Sequence, residues 1–389
     1  MRIALISQAY PPMQGGGIAT QTQLKAHGMA ARGHEVHVIT HRHALPPGGG
    51  LEGPVRLWTV PPVPADRDWV TEPERWRQHS GAVAAAIGEL HARAPLDVVE
   101  FAEYGAEGYD FLREPGRVAT VVQLHGPLVM LAHTIGWPEV DSDFYRECTR
   151  LEAACVQAAD VVYSSSDCSR GWCARYYGLD PTGVETLHTG VDVELFRPGV
   201  CAPADRPTIV FLGKLVGNKG VGELTRAAVA LAREVPGLRL RLIGPGDAGL
   251  TRHLHDLAAA FPGLLETPGL VKRADLPAEL CQAHVFAAPS FYEGGPGFVY
   301  LEAMACGLPV VAGAGSGASE VVRDGETGIL VPPQDVAALT EALRRLLADA
   351  AGRTQLGRQA RQYVETHADS RRCLDRLEAL YARAARWRR

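Results

Sequence analysis

The sequence has 389 residues, which is too long for one ordinary hydrophobic core and fits two domains. Hydrophobic residues make up 46% of the chain and charged residues 21%, and this balance excludes a disordered or low-complexity protein. The net charge of -5 makes nucleic acid an unexpected partner.

The amino terminus, residues 1–7, is a short apolar run that predicts a buried strand rather than a signal peptide. No apolar window approaches the roughly 20 residues needed to cross a bilayer, so we expect a cytoplasmic protein without a transmembrane segment. The eight cysteines form no CxxC pair and no zinc-type spacing, which predicts reduced core thiols.

Short apolar runs alternate with helical patterns along the first half of the chain. The predicted strands are 2–7, 35–40, 55–60, 97–101, 118–124, 161–164 and 184–187. The predicted helices between them include 18–31, 74–93 and 144–159. This alternation indicates parallel sheets made of βαβ units.

The same alternation restarts after a linker, 189–207, that is rich in Gly and Pro. The predicted strands are 208–212, 239–243, 264–271, 284–288, 309–312 and 329–331, and a helical tail follows from about Asp335. We therefore expect an α/β protein with two Rossmann-like domains. One domain spans 1–190 together with a C-terminal helix of about 370–389, and the other spans 191–369.

Ligands of open parallel sheets bind at the carboxyl ends of the strands, so the loops there are the candidate sites. Gly15, Gly16 and Gly17 follow the first strand and open a helix, where bare N–H groups suit an anionic or sugar-like ligand. The spacing is not GxGxxG, so a dinucleotide fingerprint is absent. The alternative is a flexible tight turn without a ligand.

The first strand of the second half ends in a loop, 213–220, that carries Lys214 and Lys219. Two ammonium groups five residues apart, beside a helix N-terminus, suit a pyrophosphate. Only four of the 39 basic residues are lysines, and two of them lie in this loop. This argues against an ordinary solvated surface.

The segment 289–311 places Glu293 at a strand end, followed by a Gly-rich turn and a helix that carries Glu302. An unpaired carboxylate in so apolar a setting is unfavourable, so Glu302 needs partners such as ribose hydroxyls. The N–H groups of the turn suit phosphate oxygens. The alternative is that Glu302 only caps a neighbouring turn.

Together these blocks resemble glycosyltransferase family 4, a retaining group with the GT-B fold, in which two Rossmann-like domains face each other across a cleft. The resemblance covers nearly the whole chain. It rests on YPPMQGGGIAT with RGHEVHVIT, HTGVDVELFRP, GKLVGNKG, and FYEGGPGFVYLEAMACGLPVV with GASEVVRDGETGILVPP.

The resemblance implies a role for each matching position. Lys214 and Lys219 would bind the donor diphosphate, and Glu302 would bind the ribose. Glu293 and His125 would lie near the transferred sugar and, with Lys219, form the catalytic set. The remaining donor-binding positions are Gly16, Gly17, Val271, Gly294, Gly295, Gly297, Phe298 and Val299.

Two positions depart from the family pattern. Lys214 stands where Arg is usual, so a point charge replaces a bidentate fork. Glu293 and Glu302 have eight residues between them instead of seven, and the extra residue must be absorbed in the turn 294–297.

The expected activity is transfer of a sugar from a nucleotide diphosphate sugar, with UDP favoured and GDP as the second choice, to a hydroxyl acceptor. Lysines and N–H groups can stabilise the leaving diphosphate, so neither a metal nor a cofactor is expected. The alternatives among enzymes are a sugar-nucleotide epimerase and a phosphorylase on the same fold. Alternatives from other classes are a nicotinamide-dependent oxidoreductase and a non-catalytic sugar-binding module.

Charge is divided unevenly, because residues 1–190 hold 15 basic and 22 acidic residues and residues 191–389 hold 24 and 22. The acids of the first half cluster in two groups, Glu100, Glu103, Glu107 and Asp110, and Glu139, Asp141, Asp143 and Glu147. An acidic domain repels anionic lipid headgroups and attracts cations. One expectation is therefore a small, amine-bearing acceptor such as an amino sugar of a natural product, rather than a lipid phosphate. The alternative is an acidic solvated face unrelated to the acceptor.

Overall fold

The computed structural model describes residues 1–11, 16–41, 49–60, 72–188, 190–202 and 204–387. The chain divides into two compact units, Met1–His188 with Cys373–Arg389 and Thr189–Arg372. Each unit has its own sheet and its own hydrophobic core. The predicted α/β class is confirmed.

The sheet of the first unit has strands in the order β3-β4-β2-β1-β5-β6-β7-β8. The strands are β1 (Arg2–Ile6), β2 (Glu35–Thr40), β3 (Gly50–Glu52), β4 (Val55–Thr59), β5 (Val98–Ala102), β6 (Ala119–Leu124), β7 (Val161–Ser164) and β8 (Glu185–Thr186). β3 and β4 pair antiparallel, and the other pairs are parallel. Every side chain of β5 and β6 is buried, as in a parallel sheet covered on both faces.

Among the residues described in the first unit, five α-helices connect these strands. They are α1 (Gly16–Ala31), α2 (Pro73–Arg93), α3 (Leu128–Ile135), α4 (Asp143–Ala158) and α5 (Asp167–Tyr177). Ser142 caps α4 and Ser166 caps α5, because each hydroxyl accepts a backbone N–H of the first turn. Proline at the start fixes the first turn of α2.

The sheet of the second unit is parallel, with strands in the order β11-β10-β9-β12-β13-β14. The strands are β9 (Thr208–Leu212), β10 (Arg239–Ile243), β11 (Leu265–Gly269), β12 (Val285–Ala288), β13 (Val310–Gly313) and β14 (Ile329–Val331). The helices are α6 (Val221–Leu231), α7 (Ala248–Ala258), α8 (Leu276–Cys281), α9 (Phe298–Ala305), α10 (Val336–Ala348) and α11 (Ala350–His367).

The last helix, α12 (Ser370–Trp387), belongs mainly to the first unit. Its apolar stripe includes Leu377, Leu380 and Tyr381, which are buried in one cluster with Leu5 and Val38 of the first sheet. The spacing of three and four residues is that of one helix face. The C-terminal helix therefore packs on the N-terminal sheet, as predicted.

Four elements differ from the prediction. β3, α3 and α5 were not predicted, since β3 has three residues and α3 eight, too short for a clear period. The strand predicted for 264–271 ends at Gly269, whose φ of +78° leaves the extended conformation.

In each sheet the strand order reverses direction at the first strand of that unit, and this indicates where ligands can bind. β1 lies between β2 and β5, and β9 lies between β10 and β12. At such a point the connections leave toward opposite faces of the sheet, and a crevice opens at the carboxyl ends of the strands. The loops after β9 and β12 are therefore the first place to look for a site in the second unit.

Candidate functional site

The loop after β9 is joined closely to the loop after β12. Gly220 has a φ of +71°, and a β-carbon at this position would lie 2.5 Å from the carbonyl oxygen of Pro289. The backbone N–H of Phe291 also donates to the carbonyl of Asn218 at 3.1 Å. Glycine at 220 therefore permits the contact that brings the two loops together.

Lys219 and Glu293 meet at this junction. The ammonium Nζ of Lys219 lies 2.7 Å from Oε1 of Glu293, and their side chains are 25% and 12% exposed. The hydroxyl of Tyr300 lies 3.5 Å from the same carboxylate oxygen. Lys214 is exposed and forms no ion pair with any residue that the structure describes. The loop thus presents one paired and one solvated ammonium.

The Gly-rich turn after Glu293 leads directly into α9. Gly297 precedes the helix with a φ of +71° and offers no side-chain cap. The carbonyl of Glu293 accepts the N–H of Gly317 at 2.9 Å, which fixes the start of the turn. Uncapped N–H groups at a helix N-terminus, on a turn beside Gly294 and Gly295, suit an anion.

Glu302 lies on α9 and is 2% exposed. Its Oε1 is 2.5 Å from Nη1 of Arg273, and the guanidinium of Arg273 lies over the ring of Phe196 at 5.1 Å. Burial raises the pKa of Glu302, and the charge of Arg273 acts against that rise. The carboxylate is paired with a cation rather than with the N–H groups of a neighbouring turn, which argues against the capping alternative.

The loop after β11 carries Val271, the position expected to hold the nucleobase. Val271 is half-buried, and its neighbour Leu270 is 69% exposed. The carbonyl of Gly269 accepts the N–H of Gly244 at 2.9 Å, which ties this loop to the end of β10. Val271 therefore stands at the carboxyl edge of the sheet that also carries Lys219 and Glu293. Phe298 and Val299, the first residues of α9, are half-buried.

In the first unit, Gly16 and Gly17 are the first two residues of α1 and are exposed. Residues 12–15, which include Gly15, lie outside the described residues. Gly16 has a φ of +72°, and a β-carbon at Gly17 would meet no atom of the described residues within 4 Å. The helix start thus offers open space for a ligand.

Lys25 lies farther along α1 and is buried, with 6% exposure. Its ammonium contacts a carboxylate oxygen of Glu100 and lies 2.7 Å from Oε1 of Gln123. The other oxygen of Glu100 accepts the hydroxyls of Tyr163 at 3.0 Å and of Tyr381 at 2.6 Å. A buried ion pair with several further hydrogen bonds therefore connects α1, the sheet and α12.

His125 follows β6 directly and is half-buried. Its backbone N–H donates to both carboxylate oxygens of Glu103 at 2.8 Å, and the N–H of Gly126 donates to Oε1 at 2.6 Å. Burial lowers the pKa of His125 well below its usual range, and the charge of Lys25 adds to this. The imidazole is therefore neutral at ordinary pH.

Most of the first of the two acid groups is buried, so it forms neither an attractive surface for a cationic acceptor nor the alternative solvated face. Glu100, Glu103 and Glu107 are 3%, 0% and 1% exposed. They are buried because they have internal partners, which are Lys25, backbone N–H groups and His79, the last at 2.8 Å from Glu107. The second group does include three exposed acids, Glu139, Asp141 and Asp143.

The structure brings together Lys219, Glu293 and the turn of Gly294, Gly295 and Gly297, and it places Glu302 within the helix that follows. Three residues around the sites were not predicted, namely Arg273, Glu103 and Lys25. The rarity of lysine in this chain could have directed attention to Lys25. Nothing in the sequence pairs Arg273 with Glu302 across 28 intervening residues.

Comparison with known proteins identifies the family of this chain. Residues 15–195 match the family described as "Glycosyltransferase Family 4", and residues 206–349 match "Glycosyl transferases group 1". The D-inositol 3-phosphate glycosyltransferase of Saccharomonospora viridis is 32% identical over 422 aligned positions, which cover 98% of this chain and 94% of that protein. The chain belongs to glycosyltransferase family 4.

Two further proteins are similar to this chain, one over about half of its length and one over nearly all of it. The GDP-mannose-dependent alpha-(1-6)-phosphatidylinositol monomannoside mannosyltransferase of Mycolicibacterium smegmatis is 39% identical over 223 residues, which are 53% of this chain and 58% of that protein. Six other curated relatives match over 52–62% of their length. The sucrose-phosphate synthase of Thermosynechococcus elongatus has a TM-score of 0.83 at 25% identity, over 98% of both chains.

These similarities show a glycosyltransferase with the GT-B fold. Among the residues that the structure describes, we find no helix with the length and apolarity needed to cross a membrane.

Proposed function

We propose that this family 4 enzyme transfers a sugar from a nucleoside diphosphate sugar to a hydroxyl acceptor, with retention of the anomeric configuration and without a metal. UDP is the favoured nucleotide and GDP the second candidate. The second unit would bind the donor, and the first unit would bind the acceptor and supply His125. The name of one relative, which is GDP-mannose-dependent, supports keeping GDP in the comparison.

One observation carries the proposal. The switch point of the second sheet gathers Lys219, Glu293 and the uncapped start of α9, and Glu302 lies one helical turn inside α9. A diphosphate would find an ammonium here, and the N–H groups of a helix start that has no side-chain cap. A ribose hydroxyl would find a carboxylate that Arg273 neutralises, so donating a hydrogen bond to it adds no unpaired buried charge.

The chemistry follows from these groups. The acceptor oxygen bonds to the anomeric carbon while the bond from that carbon to the diphosphate breaks, and the departing diphosphate takes the hydroxyl proton. Lys219, Lys214 and the N–H groups at α9 would stabilise the negative charge that develops on the leaving group. No protein nucleophile is needed. The diphosphate would compete with Glu293 for the ammonium of Lys219, which would leave Glu293 near the sugar.

The acceptor is proposed as a small hydroxylated molecule. Of the two acid groups that could attract an amine-bearing acceptor, the first is mostly buried, since Glu100, Glu103 and Glu107 have almost no exposed surface. The names of two relatives specify acceptors that contain inositol. Inositol phosphates therefore belong in the acceptor panel beside amino sugars and neutral sugars.

Donor binding is tested by thermal shift of the full chain with UDP, GDP and TDP and their sugars. A ligand at a hundred times its dissociation constant stabilises the fold by about 2.7 kcal/mol, which is easily measured. Stabilisation by one nucleotide class identifies the base. No shift with any nucleoside diphosphate would reject the donor site.

The reaction is tested with the identified donor and the acceptor panel, and the anomeric configuration of the product is read by NMR. We expect transfer with retention. Incubation of the donor alone, and of the donor with free phosphate, serves as the control. Isomerised donor would indicate the epimerase alternative, and consumption of phosphate would indicate a phosphorylase.

A further inference from the structure

Two buried carboxylates accept hydrogen bonds from the backbone N–H groups of the turn between β6 and α3. Glu103 is fully buried and accepts three N–H contacts, two from His125 and one from Gly126, at 2.6–2.8 Å. Glu152, also fully buried, accepts the N–H of Leu128 at 2.9 Å, the N–H of Gly105 at 3.2 Å and the hydroxyl of Tyr177 at 2.6 Å.

The fold explains why Glu103 reaches this turn. β5 and β6 are neighbours, with Ala102 paired to Gln123, so Glu103 and His125 leave the same edge of the sheet. The N–H of Glu103 also donates to the carbonyl of Gln123 at 3.0 Å. Both ends of Glu103 are therefore anchored to β6, by its backbone and by its side chain.

The turn lacks the usual means of satisfying its N–H groups. Pro127 precedes α3 and gives no side-chain cap, so the helix start depends on Glu152 for the N–H of Leu128. A buried N–H group without an acceptor is unfavourable by about 1–3 kcal/mol. A carboxylate that accepts from two successive residues also fixes the orientation of the peptide planes on either side of His125.

We propose that Glu103 is a positioning residue, which acts through His125 by holding the backbone turn that aims the imidazole. This inference rests on the proposed function for the role of His125, and it adds a residue that no comparison assigns. A bidentate acceptor beneath the turn leaves the imidazole side chain free to meet the sugar. The position of the ring is then set by buried contacts rather than by the ligand.

The first test measures the turn itself and does not depend on activity. Glu103→Gln keeps the volume but replaces one acceptor oxygen by an NH2 group, which cannot accept an N–H. Hydrogen exchange of a peptide covering 119–131 should become at least about tenfold faster in this variant. The matched control is Glu107→Gln, which alters a buried acid four residues away that bonds to His79. It should leave exchange in 119–131 unchanged.

The second test is a double-mutant cycle on turnover with Glu103→Gln, His125→Ala and the double variant. Misplacement of a reacting group by about 1 Å can lower the rate roughly a hundredfold, so we expect kcat of Glu103→Gln to fall by about tenfold to a hundredfold. The KM for the donor should stay within about twofold. The double variant should be no slower than His125→Ala, because Glu103 acts only through His125.

Two results would overturn the inference. One is unchanged hydrogen exchange in 119–131 for Glu103→Gln. The other is that Glu103→Gln lowers kcat by the same factor in the His125→Ala background as it does in the parent. If Glu103→Gln does not fold, Glu103→Asp is used in both tests, since it keeps the charge but is too short to reach both N–H groups. If the parent transfers no sugar while exchange responds as expected, the proposed function fails and the positioning of the turn stands.

Discussion

Two pairs of carboxylates, one pair in each unit, are stabilised in different ways. In the second unit, Glu302 and Glu293 are paired with the cations Arg273 and Lys219. In the first unit, Glu103 and Glu152 accept backbone N–H groups and a tyrosine hydroxyl. In the first arrangement a cationic side chain stabilises the carboxylate, and in the second the dipoles of N–H and O–H groups do so.

Because of this difference, the ion-paired side chains can exchange partners, whereas the carboxylates that accept backbone N–H groups fix the local backbone conformation. A cation at a half-exposed position such as Lys219 can turn from a carboxylate to an incoming phosphate at little loss of free energy. A carboxylate that accepts several buried N–H groups cannot leave without exposing all of them. We therefore expect mutations in the second unit to change ligand binding and chemistry, and mutations of the buried acids in the first unit to change geometry and stability.

The largest expected effect is that of Lys219→Ala. Removing one partner of the developing charge typically lowers turnover by about a hundredfold or more, so kcat at saturating donor should fall by that factor while the fold persists. Turnover close to that of the parent would contradict the diphosphate role. Lys214→Arg is the matched control, because it keeps the charge on the same loop and restores the residue that is usual in the family, and it should keep its activity.

The next largest effect concerns Glu302 and its cation. Glu302→Ala should weaken the bare nucleoside diphosphate by about tenfold or more, because a hydrogen bond to a charged group contributes about 1.5–3 kcal/mol. Glu293→Ala should mainly lower turnover. Isothermal titration of both variants separates the roles, and equal affinities for the parent and both variants would remove the distinction between the ribose and sugar contacts.

Nucleotide binding by Arg273→Ala, measured by the same titration at several pH values, also tests the role of Glu302. Burial already raises the pKa of Glu302, and loss of the guanidinium would raise it further, so the carboxylate would ionise only at higher pH. The ionised form is the better acceptor for ribose hydroxyls. Nucleotide affinity of Arg273→Ala should therefore keep rising with pH up to a higher pH than that of the parent. Parallel curves for the two proteins would argue against Glu302 as the ribose ligand.

A smaller effect is expected on the stability of the first unit. Burial and the charge of Glu103 raise the pKa of Glu152 from 4.5 to about 8. A folded-state pKa above the unfolded one gives stability that is complete below pH 4.5 and is lost as the pH rises toward about 8. Glu152→Gln has no such group, so its melting temperature should fall less than that of the parent over this range, by a few degrees. Equal pH dependence would show that Glu152 does not ionise there.

The fold was predictable because strand and helix periods differ along this chain. Strands such as β9, β10 and β14 have the predicted bounds, since each is a short run rich in aliphatic residues that is followed by a Gly- or Pro-bearing loop. α3 was missed because an eight-residue helix with a nearly continuous apolar sequence has no visible polar face.

The candidate site was predictable only where its residues are close in sequence. Lys219, Glu293 and Glu302 lie in glycine-rich blocks whose composition is itself a signal. The pairing of Glu302 with Arg273, and of Glu103 with the N–H of His125, depends on sheet order, which local pattern does not contain. The acidic face was inferred from charge along the sequence, whereas the burial of Glu100, Glu103 and Glu107 is decided by partners far away in the chain.

The smallest expected effect is that of metal chelation on the rate of transfer. It tests whether the cations and N–H dipoles of the second unit are sufficient without a metal ion. If Lys219, Lys214 and the N–H groups at the start of α9 stabilise the leaving diphosphate, EDTA should not change the rate of transfer. The assay compares initial rates of the full chain before and after EDTA, then with added magnesium or manganese. A control protein of known metal dependence confirms that the chelator works. Loss of activity on chelation that either metal restores would mean that the lysines are insufficient, and the leaving-group assignment to this junction would have to be abandoned.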